Sequence, residues 1–176
     1  MEPIRQFVVN GFNELLGELC SSDRVTLVQF DTVDPFELVV DAQPSGPARR
    51  LTLDDFEPRG GTPLYDAVSD TITYVVGRRN RDEILSRAGG PVTLAIISDG
   101  EENSSTRYTS RDLQRLVRHQ VEEEGWDIRY FGLGNDAFHE AERFGLDRGT
   151  VTSLGHDERG TTTAFRSIAA RLSEDN

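Results

Sequence analysis

The chain has 176 residues, 36% of them apolar and 28% charged, with 19 basic against 31 acidic side chains and a formal net charge of −12. That length gives room for one domain with a proper core, and the charge disfavours nucleic acid or an anionic membrane as partners. All 19 basic residues are arginines, which excludes a Walker A lysine and Schiff-base chemistry, and the lone Cys20 excludes an internal disulfide or a CxxC zinc site.

No run approaches the ~18–20 apolar residues needed to span a bilayer. The start, MEPIRQFVVNGF, lacks the pattern of a signal peptide. The expectation is a cytoplasmic protein of one domain over residues 1–176. In chain order, Pro3 suits a first helical turn, and Ile4, Phe7, Val8, Phe12, Leu15, Leu16 and Leu19 recur at helical spacing. They predict a helix over 3–20, despite Gly11 and Gly17. Cys20, on the apolar side of that helix, reads as a small core residue. RVTLVQF (24–30) predicts a strand, and FELVVD (36–41) an antiparallel edge strand beside it.

Pro58 and Gly60-Gly61 mark an exposed loop. Thr62-Pro63 then predicts a helix start, with Thr62 as N-cap and the helix running to about Gly77. RRNRDEILSRAGG reads as a polar connection. Its Arg78, Arg79, Arg81 and Arg87 form a basic patch, read as solvated rather than as a phosphate site. VTLAIIS (92–98) is the most apolar run in the chain. It predicts a parallel, central strand covered on both faces. A polar acidic loop (99–110) follows, then a helix (111–124), a strand (126–133), a short helix (136–144), a strand (150–154) and a last helix (158–172). Alternating strands and helices predict an α/β fold with a mostly parallel sheet and helices on both faces.

In an open α/β sheet, ligands gather at the carboxyl ends of the strands. Two polar loops meet that rim, Arg59-Gly60-Gly61-Thr62-Pro63 and Ser98-Asp99-Gly100-Glu101-Glu102-Asn103-Ser104-Ser105. Asp99 directly follows the most apolar strand, Gly100 permits a sharp turn, and Thr62 offers a hydroxyl at a helix start. Such oxygens suit a hard cation such as Mg²⁺. The plain alternatives are an N-cap for Thr62, a common Asp-Gly turn for Asp99, and a solvated loop for Glu101, Glu102 and Asn103. Gly132-Leu133-Gly134 lacks the third glycine of a dinucleotide fingerprint. His119, His139 and His156 share no ligand spacing.

VTLVQFD, GGTPLYDAV and IISDGEEN, at this spacing, resemble the von Willebrand factor type A (vWA) domain in its bacterial intracellular form. The likeness covers nearly the whole chain through GTTTAFRSIAARL. It implies a Rossmann-like fold with a metal-ion-dependent adhesion site on three loops. The first carries Asp-x-Ser-x-Ser, the second a Thr and the third an Asp. By resemblance Thr62 and Asp99 are the second- and third-loop ligands, with Gly60, Gly61, Gly100 and Glu101 in the supporting loops. The implied function is a non-enzymatic protein-interaction module. It uses Mg²⁺, Mn²⁺ or Ca²⁺ to grip an acidic group on a partner, and AAA+ ATPase machines are the implied partners. The chain departs from the family pattern at one point. It has no Asp-x-Ser-x-Ser and no strand to carry it, as if it began inside that first motif.

The departure has physical consequences. Metal affinity is expected to be weak or absent. In the strand order that the resemblance implies, the absent strand lies in the middle, so the inner edges of strands 24–30 and 92–98 are expected to be bared, with roughly a dozen backbone groups between them. Left buried and unpaired, these outweigh a typical domain stability. The two strands therefore pair directly, accept a strand from another chain, or admit water. Low stability or oligomerisation through the exposed edges is expected. Two other readings stay open: a metal-dependent hydrolase or phosphoesterase using Asp99, Glu101 and Glu102, and a metal-free structural remnant.

Overall fold

The computed structural model describes residues 5–57, 59–84, 90–99, 101–133, 137–155 and 158–174. Among them the chain forms helix α1 (Arg5–Glu18), strands β1 (Arg24–Gln29) and β2 (Glu37–Pro44), helix α2 (Leu64–Ile84), strand β3 (Thr93–Ser98), helix α3 (Ser110–Glu122), strand β4 (Asp127–Leu133), helix α4 (Ala137–Arg143), strand β5 (Val151–Leu154) and helix α5 (Glu158–Glu174). This is an α/β fold with a three-stranded parallel sheet, ordered β3-β4-β5, and a separate antiparallel pair, β1-β2. Ile96 stands opposite Tyr130, Phe131 opposite Thr152, and Val28 opposite Leu38.

Period-two alternation sorts the side chains onto two helical layers. Ala95 and Ile97 of β3, Phe131 of β4 and Leu27 of β1 pack with Val8, Phe12 and Leu16 of α1 and Phe165 and Ile168 of α5. Leu94, Ile96, Ile128 and Tyr130 face the other way, onto α2, α3 and α4, and Phe30 joins them there. The α1 and α5 layer therefore covers both sheets, while the α2, α3 and α4 layer covers the other face of the parallel sheet and takes in Phe30, just past the end of β1. Trp126 and Tyr130 are buried.

Four sequence expectations are corrected. The strand over 93–98 is parallel but not central: β4 holds the middle, and no described strand pairs with the other edge of β3. The α2 helix does not stop near Gly77 but continues to Ile84. Its polar turns are tied to neighbours, with Arg78 on Asp41 at 2.6 Å and on Asp82 four residues along. Those bonds, and Arg79 donating to the Gly90 carbonyl at 2.6 Å, tie two arginines of the basic patch to neighbours; Arg81 is exposed, and Arg87 lies outside the described residues. Cys20 lies beyond the end of α1 and is exposed, not core. Gly132 serves close packing, since a Cβ there would run into Ala137 of α4; Gly134 lies outside the described residues.

The two glycines of α1 have opposite settings. A Cβ on Gly11 would run into the buried ring of Phe165, whereas Gly17 has open space around it. Helix propensity favours alanine at both, by up to about 1 kcal/mol. At Gly11 the gain is opposed by overpacking of about 1–3 kcal/mol, because a close-packed ring cannot simply move aside. Gly17→Ala is expected to raise unfolding free energy by about 0.5–1 kcal/mol, and Gly11→Ala to lower it by about 1 kcal/mol. Urea unfolding decides this, and a shift of the same sign for both variants contradicts the packing argument.

Candidate functional site

The carboxyl end of β3 and the loop that enters α2 are locked together. The loop after β1 joins them. Thr62 donates its amide to Asn103 Oδ1 at 2.8 Å, and Asn103 returns its amide to the Thr62 carbonyl at 3.2 Å. Gly61 donates to Thr32 Oγ1 at 3.3 Å. Gly60 sits at φ +65°, in the region that favours glycine, and a Cβ on it would run into the Thr32 hydroxyl. A Cβ on Gly61 would run into Ser104 Oγ and come within 2.6 Å of Asn103 Oδ1. The Gly-Gly pair is thus the crossing point of three loops, and its function here is close approach.

The first turn of α2 shows who caps it. The Tyr65 amide donates to Glu102 Oε2 at 2.9 Å and the Asp66 amide to Ser105 Oγ at 3.0 Å. Glu102 also accepts from the amides of Ser104 and Ser105 and from the Ser105 hydroxyl, at 2.6–2.8 Å. The amides that a local cap would serve are taken by the distant loop, so the Thr62 N-cap is replaced by a cap from Glu102 and Ser105. Glu102 is half-buried rather than simply solvated, and Asn103, though exposed, bonds Thr62; both fasten the rim.

Two buried aspartates complete the frame. Asp66, 2% exposed, accepts the amides of Thr106, Arg107 and Tyr108 at 2.8–3.3 Å. Burial pushes its carboxyl up, but the Thr106, Tyr108 and Arg107 amides and the Arg107 guanidinium outweigh that and hold it below the ordinary carboxylate range. Asp31, at the end of β1, accepts from the Val33 and Asp34 amides and from Arg59 Nε at 2.6 Å. Arg59 also reaches Glu37 at 2.6 Å. Burial again works upward on Asp31, and the Asp34 amide, Arg59 and the Val33 amide prevail.

Behind the rim lies an open pocket of about 280 Å³ lined by Glu101, His139, Glu140 and Arg143. Glu140 is 3% exposed, and its Oε1 makes no hydrogen bond of good geometry. Burial raises its carboxyl above the ordinary range, against the Arg143 guanidinium and the nearby Tyr65 hydroxyl. The Tyr65 hydroxyl is pushed up to about 12 by burial and by Glu140. Tyr130 is raised further for the same reasons, with Asp99 and Glu101 adding negative potential. Sequence reasoning missed Glu140, Tyr65 and Tyr130. They come from α4, α2 and β4, and only the fold gathers them.

Thr62 and Asp99 are both half-buried, Thr62 next to α2 and Asp99 at the exit from β3. The loops that carry them are joined through Asn103. Gly60 and Glu101 are exposed and Gly61 half-buried; Gly100 lies outside the described residues. Among the described residues no group of three or more His, Cys, Asp or Glu side chains is placed to hold a metal ion. Thr62 and Asp99 bring one hydroxyl and one carboxylate, which falls short of a site that retains Mg²⁺, Mn²⁺ or Ca²⁺ by itself. The Asp99, Glu101, Glu102 set of the hydrolase reading is not assembled either, since Glu102 is committed to α2. No helix among the described residues is long and apolar enough to cross a membrane. No protein-family model matches the chain, and no curated protein matches it in sequence.

Proposed function

We propose that the chain is a non-enzymatic protein-interaction domain of vWA type that uses this rim as its binding surface. One observation carries the reading. The rim's loops are fastened to each other and to the first turn of α2, which sets Thr62, Asp99 and Glu101 on a fixed frame. A phosphate seeking the α2 amides meets the Glu102 carboxylate already there. That weighs against phosphoryl chemistry and with it the hydrolase reading.

An acidic group on a partner meets Asp99 and Glu101, and the chain's formal charge is −12. Like charges repel, so an acidic partner needs a cation between the two surfaces. Because the chain's own donors are too few, that ion arrives with the partner's carboxylate as a further ligand. The vWA likeness makes a component of an AAA+ ATPase machine the partner to try first.

The test is co-purification of bound proteins in Mg²⁺, in EDTA, and with Asp99→Ala in Mg²⁺. Binding is expected in the first case and at least about tenfold weaker in the other two, a loss near 1.4 kcal/mol. Calorimetric titration with Mg²⁺ alone is expected to give roughly millimolar affinity or weaker. Equal capture in all three conditions removes the cation from the mechanism.

A further inference from the structure

We infer that the pocket behind the rim is a recognition site for a primary alkylammonium group, of the kind a lysine side chain of a partner protein carries. Among its described lining residues Glu140 is buried, while Glu101, His139 and Arg143 are exposed. Glu140 therefore forms the floor and the other three the mouth. The floor comes from α4, and Glu101 comes from the loop after β3.

Glu140 is the group that calls for a ligand. Its Oε2 accepts from Arg143 Nη1 at a long 3.4 Å, and its Oε1 accepts no hydrogen bond of good geometry although the residue is 3% exposed. A buried carboxylate oxygen is ordinarily satisfied, because an unpaired one has lost its water and gained nothing in exchange. Burial raises this carboxyl against the pull of Arg143, which is the behaviour of an acid with too little positive charge around it. Glu101 at the mouth adds a second carboxylate rather than a counter-charge.

These groups select the ligand. An anion is repelled by both carboxylates, and the Arg143 guanidinium is already turned to Glu140. A bare metal ion lacks its ligands, since among the described residues no three acidic, His or Cys side chains are placed to hold one. A guanidinium binds best as a fork across two carboxylate oxygens, and here Arg143 holds one of the two. An ammonium is a point donor on a flexible alkyl stem. One of its N–H groups serves Oε1, and the others face Glu101 and water. The volume of about 280 Å³ is below that of sites for drug-sized ligands and suits a single side chain. The sequence contains no lysine, so neither this chain nor a second copy of it can supply that side chain. The site needs no cation at Asp99 and stands apart from the rim reading.

The test follows amide chemical shifts of the 176-residue chain by NMR, at constant pH and ionic strength in EDTA, where the rim's cation is absent. The probes are Nα-acetyl-lysine methylamide, its Nε-acetylated form, the arginine counterpart and n-butylamine. The lysine probe is expected to give saturable shifts at Tyr65, at 101–102 and at 139–143. It should bind on the order of tenfold tighter than the Nε-acetylated and arginine probes, a difference near 1.4 kcal/mol. Glu140→Gln keeps the side chain's shape and should lose a similar factor, and the exposed Glu101→Gln should weaken binding severalfold. Tighter binding of the lysine probe than of n-butylamine assigns the site to a protein lysine; the reverse keeps the ammonium site and assigns it to a free amine. The inference is overturned if no probe gives saturable shifts at those positions, if the Nε-acetylated or arginine probe binds as well as the lysine probe, or if both variants bind as the wild type does. Because EDTA is present throughout, each of these results is separate from failure of the rim reading.

Discussion

Asp66→Ala should be the most damaging single substitution in the rim, with an expected loss of about 3 kcal/mol at neutral pH. The side chain accepts three consecutive amides, those of Thr106, Arg107 and Tyr108. An amide left without an acceptor costs about 1–3 kcal/mol when buried. Thr106 and Arg107 are exposed at the surface, so water recovers part of their loss and the lower end applies. For a chain of this size that is a fall in melting temperature of about 6–12 °C. The pH dependence follows from the direction of the shift. The folded carboxyl lies below its ordinary value of 3.8, so its stabilisation is fully present above about pH 4 and is lost as pH falls through the folded value. The gap between wild type and variant should therefore narrow at pH 3. Thermal unfolding at pH 7 and pH 3 checks both parts, and a gap that is negligible, or unchanged with pH, refutes the assignment.

Glu102→Ala should cost about 2–3 kcal/mol, through a different element. One oxygen accepts the amides of Ser104 and Ser105, and the other accepts the Tyr65 amide and the Ser105 hydroxyl. Removal frees the first turn of α2 and the loop at 101–105 together. Glu102→Gln separates the two roles. Its carbonyl oxygen serves one pair of donors, while its NH₂ group opposes the other; the Ser105 hydroxyl can reverse, but the Tyr65 amide cannot. The expected order of stability is wild type, then Gln, then Ala. Hydrogen exchange should quicken first at Tyr65 and at 103–105. Exchange there that stays at the wild-type rate in Glu102→Ala would falsify the capping role.

These predictions rest on residues that carry little signal in one dimension. The bond from Tyr65 to Glu102 spans 37 positions, and those from Asp66 to the 106–108 segment span 40 to 42. A glutamate in a polar loop looks the same whether it is solvated or caps a remote helix. Composition therefore favoured the solvated reading, and only the approach of two loops reversed it. Glu140 is similar. Nothing in FHEAER marks its first glutamate as buried; its setting depends on how α4 lies against β4.

Sequence alone determined what short-range physics decides. The apolar run before Asp99 is a strand because β-branched and aliphatic residues favour extended chain between helical layers. Thr-Pro opens a helix at Leu64, and alternation of strands and helices set the α/β class. Tertiary structure alone decided that β1 and β3 stay apart rather than pair, that β4 takes the centre, and that α2 gains two further turns from Arg78 bonding to Asp41 and Asp82. The reason is common to all three: each outcome depends on groups distant in sequence meeting at a fixed separation, and the local preferences of a segment carry no term for what will stand beside it.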